Sequence, residues 1–175
     1  ALDTSFGNGG KAIIDFGGND TANSITVSGT SIYIAGSKDD DMALARLTDS
    51  GALDTTFGGG DGVATADLGP GFIDHASAVA ISTSGIYIGG TATDPNLEHN
   101  VFAVARFTTT GAVDTAFGGG AVTSSIGESA AVTSLLADGP DVIAGGFSMS
   151  FGQPSFTIER FAGINGSSAW TQVTQ

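Results

Sequence analysis

The chain has 175 residues, no cysteine, and a net charge of −13 from eighteen acidic residues against five Lys and Arg. No disulfide framework, thiolate metal site or cysteine nucleophile is available to it, and its charge repels duplex nucleic acid and anionic membrane surfaces alike. Charged residues are 13% of the total, against about 25% in an ordinary soluble domain, and no run of about 18 apolar residues marks a membrane span.

The N-terminal phrase Ala1-Leu2-Asp3-Thr4-Ser5-Phe6-Gly7 returns as Ala52-Leu53-Asp54-Thr55-Thr56-Phe57-Gly58, and again as Ala112-Val113-Asp114-Thr115-Ala116-Phe117-Gly118. From Asp3 to Asp54 is 51 residues and from Asp54 to Asp114 is 60, the spacing of propellers, solenoids and arrays. The chain therefore reads as one repeat domain, 1–175, with units of approximately 1–51, 52–111 and 112–175. In each phrase the Asp can bond its own backbone two residues on, the Phe is an apolar plug, and the glycines permit a sharp turn. Asp3, Phe6, Asp54, Phe57, Asp114 and Phe117 are thus structural corner residues. Glycine runs 58–60 and 118–120 are followed by no Lys and open no helix, so they do not read as phosphate cradles.

Between the corners the apolar period is two, in short β-branched runs bounded by Gly, Ser, Asn and Asp, and no stretch reads as a helix. The first unit predicts strands at 11–16, 23–28, 31–36 and 42–47, with Gly29-Thr30 as a tight hairpin. The second predicts 62–68, 76–82, 86–90 and 101–107, with Ser84-Gly85 in the hairpin and insertions at 70–75 and 93–100. The third predicts 121–126, 131–136, 142–146 and 155–161, with Asp138-Gly139 near its hairpin, and 169–174 reads as a last strand. The class is all-β: three four-stranded antiparallel blade-like repeats, each closed by an outer strand from the following unit. One N-terminal strand (Lys11, Ala12, Ile13, Ile14, Asp15, Phe16) is left spare.

Arg46, Arg106 and Arg160 occupy one position of the third strand, and Asp54 and Asp114 follow the first two by eight residues. A guanidinium fork paired with a carboxylate across the corner is the structural reading; a row of arginines binding glycan carboxylates or sulfates is the alternative. The two imidazoles, His75 and His99, lie in the insertions of the second unit beside Asp74 and Glu98, which makes these four the candidate ligand-binding set. They are too few and too irregularly spaced for a zinc site or a hydrolytic triad, so no enzyme is expected. Asp39, Asp40 and Asp41, with Asn19, Asp20 and Asp61, are a weak candidate for calcium; otherwise no metal or cofactor is implied.

The run Leu-Asp-Thr-Ser/Thr-Phe-Gly, a glycine-rich turn, a hairpin ending Ile-Ala-Gly or Ile-Gly-Gly, and then Ala-Leu-Ala-Arg-Leu or Ala-Val-Ala-Arg-Phe resembles the delta-60 repeat family. That resemblance covers nearly the whole chain and implies propeller-type blades in large bacterial exported and surface proteins, with no catalytic residues to carry over. It departs after Arg160, where the Leu-Asp-x-x-Phe-Gly phrase is missing.

Closed propellers use roughly four to eight blades, so three imply either copies of the chain joined into a ring or filament, or the rest of a larger propeller. The 11–16 strand is expected to complete a neighbour's sheet, with Trp170 as an interface anchor. The expected role is an extracellular or cell-surface, structural or adhesive bacterial component. The alternative is a glycan-binding module that uses the loops at 70–75 and 93–100.

Overall fold

The computed structural model describes residues 1–96 and 98–169, and every regular element among them is a β-strand. Strands β1 (Asp20–Ser28), β2 (Ser31–Lys38), β3 (Asp41–Thr48) and β4 (Val63–Ala66) form the first antiparallel sheet, in sequential order. The second sheet repeats it with β5 (Ile73–Ile81), β6 (Ile86–Asp94), β7 (His99–Phe107) and β8 (Ala121–Ser124). The third contains β9 (Ser129–Asp138), β10 (Asp141–Ser150), β11 (Gln153–Phe161) and β12 (Ser168–Ala169). The three sheets follow one another as an open arc.

Each sheet packs its first strand onto the face of the sheet before it: β5 lies on β1 to β3, and β9 lies on β5 to β7. Two cores result. At the first junction Tyr33, Met42 and Leu44 meet Val79, Ile86 and Ile88. At the second, Tyr87, Phe102 and Val104 meet Val132, Val142 and Phe161. Alternation along a strand turns successive side chains to opposite faces, so the middle sheet feeds one set of residues to each core.

A bulge recurs in the first strands, between Ala22 and Ser24 in β1 and between Ala76 and Ala78 in β5. The extra residue of the first, Asn23, donates from its side-chain amide to the Ala76 carbonyl at 2.9 Å, tying the two bulges across the junction. Gly36, Gly90 and Gly146 stand opposite these sites, where a Cβ would run into the carbonyls of Thr21, His75 and Ala131.

The structure differs from the sequence reading in three places. Residues 11–16 form no strand; Lys11 makes one isolated parallel bridge to Gly7 and the rest is extended chain. The reason is positional. Gly17 N–H bonds the Asp15 carboxylate as Gly69 N–H bonds Asp67, and Phe16 N–H bonds Asp20 as Leu68 N–H bonds Asp74. Residues 11–14 therefore correspond to β4, an outer strand whose neighbouring third strand would belong to a preceding blade.

The insertions are the second difference, because much of their length is strand: β5 begins at Ile73, β6 runs to Asp94 and β7 begins at His99. Third, β12 pairs with Arg160 and Phe161, the register held in the first two sheets by the corner bridges of Leu53 to Leu47 and Val113 to Phe107. It thus joins the third sheet on the outer side of β11, but it begins in the register that the first two sheets give to their corners. Trp170, with the remainder of the expected 169–174 strand, lies outside the described residues.

Candidate functional site

The corner phrase is a joint between blades. Asp3, Asp54 and Asp114 each accept the backbone N–H two residues on, at 3.0, 3.0 and 3.1 Å, from Ser5, Thr56 and Ala116. The Ser5 and Thr56 hydroxyls also donate to Asp3 and Asp54, and these bonds hold both carboxyls below the usual carboxylate range. The glycine after each Phe then reaches forward. Gly7, Gly58 and Gly118 donate N–H to the carbonyls of Ser50, Thr110 and Asn165 at 2.7, 3.0 and 3.2 Å, each in a turn of the blade that follows. Phe57 and Phe117 are fully buried against Gly111 and Gly166 of those turns.

The arginines add a second tie. Arg46 Nε lies 2.9 Å from Asp54 Oδ2, an ion pair by distance whose N–H is not aimed at the oxygen. Its NH1 donates to the Thr109 carbonyl of the next unit at 2.8 Å, and its guanidinium sits 4.7 Å from the centre of the Phe57 ring. Arg106 repeats this with Asp114 at 2.9 Å, the Gly163 carbonyl of the third unit, and the Phe117 ring at 5.2 Å. The predicted Arg to Asp pairs are therefore formed at both internal junctions, and both arginines span a junction.

Arg160 differs, because Ala169 occupies the position of the corner Asp. It turns back to Asp138 at 2.6 Å and Asp141 at 2.9 Å, half-exposed. The two carboxylates raise its pKa, and Asp141 is lowered by the Gly163 N–H together with Arg160. No row of free guanidiniums is available to a ligand.

The residues predicted to bind a ligand are not gathered. Asp74 is completely buried, with Oδ2 accepting the Leu68 N–H at 2.9 Å. His75, next along β5, is exposed on the opposite face. Glu98 sits at positive φ in the β6–β7 turn, and His99 opens β7 with its Nε2 enclosed and unpartnered. The aspartate run is also dispersed. Asp39 Oδ1 accepts the Asn19 N–H at 3.0 Å, the Asp40 carbonyl accepts the Asp74 N–H at 2.6 Å, and Asp41 opens β3.

What the junction does gather is Asp41, Asp67 and Asp74, with one carboxylate oxygen of each within 4.8 Å of the others. Burial pushes Asp74 up to about 6, with the charges of Asp41, Asp67 and Asp40 adding to it, and burial also raises Asp41. Sequence reasoning missed this set because its members come from three strands or connections of two blades. The visible signal was the recurrence of Asp15-Phe16-Gly17 as Asp67-Leu68-Gly69, each with an Asp a few residues on.

The two end faces of the arc expose apolar residues that the internal junctions bury. Val79 and Ile81 of β5 pack into the first junction, and Leu135 and Ala137 of β9 into the second. The corresponding residues of β1, Ile25 and Val27, are 66% and 65% exposed. On the other face Met42 and Leu44, then Phe102 and Val104, are fully buried, whereas their counterparts in β11, Phe156 and Ile158, are 79% and 45% exposed. Leu136 and Phe147 are exposed on the same third-sheet face. Beside them, among the described residues, the β11 edge from Phe156 to Glu159 has no outer strand.

Residues 23–57 and 85–117 match the family model described as a domain of unknown function (DUF5122) beta-propeller. No curated protein and no solved structure matches the chain. Each matched segment begins on the first hairpin of a blade and ends at a corner Phe, so it takes in the Arg strand and the Asp to which the arginine is tied. These two segments are similar to the repeat of the DUF5122 β-propeller, a delta-60-type repeat family.

Proposed function

We propose that the chain is a structural propeller module that joins head to tail with a second copy of itself, the two arcs of three blades making a ring of six. The observation carrying this is that the faces buried at both internal junctions are bare at the two ends: Ile25 and Val27 at one, Phe156 and Ile158 at the other. The same partner residues that fill the internal junctions would fill a junction between copies. Apolar faces of this kind mark interaction sites, and a head-to-tail contact closes as a ring when its rotation divides a full turn, here a half turn per copy. Six blades fall in the range of roughly four to eight that closed propellers use.

The N-terminal segment fits the same arrangement. By equivalence with β4 on β3, the second copy's residues 11–14 would add to the β11 edge that is open among the described residues, which sets Lys11 opposite Glu159 and Ile14 opposite Phe156. This keeps the expectation that residues 11–16 serve assembly, with the segment ordering as a strand when it finds its partner edge. A surface role outside a bacterial cell is part of the proposal, supported by the weakly charged, acidic, cysteine-free composition.

Sedimentation or light scattering of the 175-residue chain tests the association. The expected mass is about twice 17.2 kDa, falling to a single chain in Phe156→Asp, in Ile25→Asp and on removal of residues 1–16. A chain that stays single at high micromolar concentration, or association indifferent to both faces, would sink the proposal.

A further inference from the structure

We propose that the junction between the first and second blades holds a divalent cation of the calcium class on Asp41, Asp67 and Asp74. The argument begins with Asp74. It is 0% exposed, Oδ2 takes the Leu68 N–H, and Oδ1 has no partner although it is shut away from solvent. A buried carboxylate oxygen with nothing to bond is costly. Two further carboxylates stand beside this one, an oxygen of each of the three lying within 4.8 Å of the others, and among the described residues no Lys or Arg forms an ion pair with any of them.

The donor set and its size both fit calcium. All three ligands are hard carboxylate oxygens, no more than 4.8 Å apart. Calcium holds oxygens at about 2.3–2.6 Å, so two ligands across the ion stand up to about 4.6–5.2 Å apart, whereas magnesium at about 2.0–2.1 Å draws them closer. Water and backbone carbonyls make up the remainder of the about six to eight oxygens that calcium takes.

The repeat supplies its own control. At the second junction the positions of Asp41, Asp67 and Asp74 are held by Val101, Ser125 and Ala130. Val101 and Ala130 are buried there in ordinary apolar packing. The blade geometry therefore does not require acids at these places, and the first junction departs from the second by concentrating three of them. The ion would bridge β3 and the β4 exit of one blade to β5 of the next, reinforcing a joint also held by side-chain packing, the Arg46 tie and the hydrogen bonds from Asn23, Gly58 and the Asp74 N–H.

The chain, stripped with a chelator and titrated calorimetrically with calcium chloride, is expected to bind one ion per chain, and magnesium more weakly. Its melting temperature should rise by a few degrees as binding to the folded state requires. Asp67→Asn alters an exposed member and leaves the Leu68 bond intact; Asp74→Asn keeps an oxygen for that bond. Each should weaken calcium affinity by about tenfold or more, and Asp49→Asn, on an exposed turn away from the cluster, should not. Absence of binding at millimolar calcium would overturn the site, as would binding that both cluster variants leave unchanged. The site does not depend on association, so the titration repeated in Ile25→Asp must give the same result.

Discussion

Glu159 is a carboxyl placed where the first two blades have alanine. Ala45 and Ala105 occupy its position in the first two sheets, and Glu159 is buried like them, with Oε1 taking the Ser124 hydroxyl at 2.8 Å and Oε2 left without a partner. Burial raises its pKa, with the Ser124 bond opposing. A carboxyl raised in the fold favours the native state while protonated, so its contribution is whole below the unfolded value and is lost as pH rises through the folded value. Glu159→Gln should therefore match the parent in strong acid and become more stable as pH rises toward neutral, by about 1–3 kcal/mol, the cost of a buried polar atom left unmet. Urea unfolding against pH, at concentrations too low for association, checks this; equal stability of the two proteins at neutral pH would contradict it.

At the scale of elements, each blade is closed by the glycine turn that carries the chain from corner to outer strand. Gly58 has φ +67 and a Cβ there would meet the Val63 backbone, whereas Gly59, at φ +90, has open space around it. Both positions strain an L-residue, by about 1–2 kcal/mol, but only at Gly58 must the backbone also move. Gly58→Ala should thus lower the urea midpoint clearly more than Gly59→Ala, and equal losses would mean that the Val63 contact gives way freely. These turns, the hairpins and the strands were legible in the sequence because glycine, period-two alternation and the Leu-Asp-x-x-Phe-Gly phrase act locally. Residues 11–16 misled for the same reason: residues 11–14 stand where the first blade has β4 and share its composition, but no third strand precedes them to pair with. The Arg to Asp ties were visible through their constant spacing of eight. The Asp41, Asp67 and Asp74 cluster was not, since 26 and 7 residues separate its members and only the packing of β5 on the first sheet unites them. His75 and Asp74 looked like partners by adjacency, which in a strand is what separates side chains to opposite faces.

Over the whole molecule, stability should follow coverage. A stack of similar units is held by the intrinsic stability of each unit plus its interfaces with neighbours, and the middle blade has two such interfaces while each end blade has one. The Arg ties reinforce the asymmetry: Arg46 and Arg106 reach forward into the next unit, and Arg160 folds back on Asp138 and Asp141 of its own sheet. Amide exchange reports this directly, since protection scales with the free energy of local opening. In the single-chain form, β6 and β7 should exchange slowest, β1 faster because Ile25 and Val27 are bare, and β11 faster because its Phe156 face is exposed. Raising the concentration should slow exchange in β1 and β11 and bring residues 11–14 under protection, while β6 and β7 change little. If protection instead rose uniformly along the chain, the blades would be coupled too tightly for the end faces to matter separately. If β1 and β11 stayed fast at every concentration, the apolar ends would have to be covered by something other than each other.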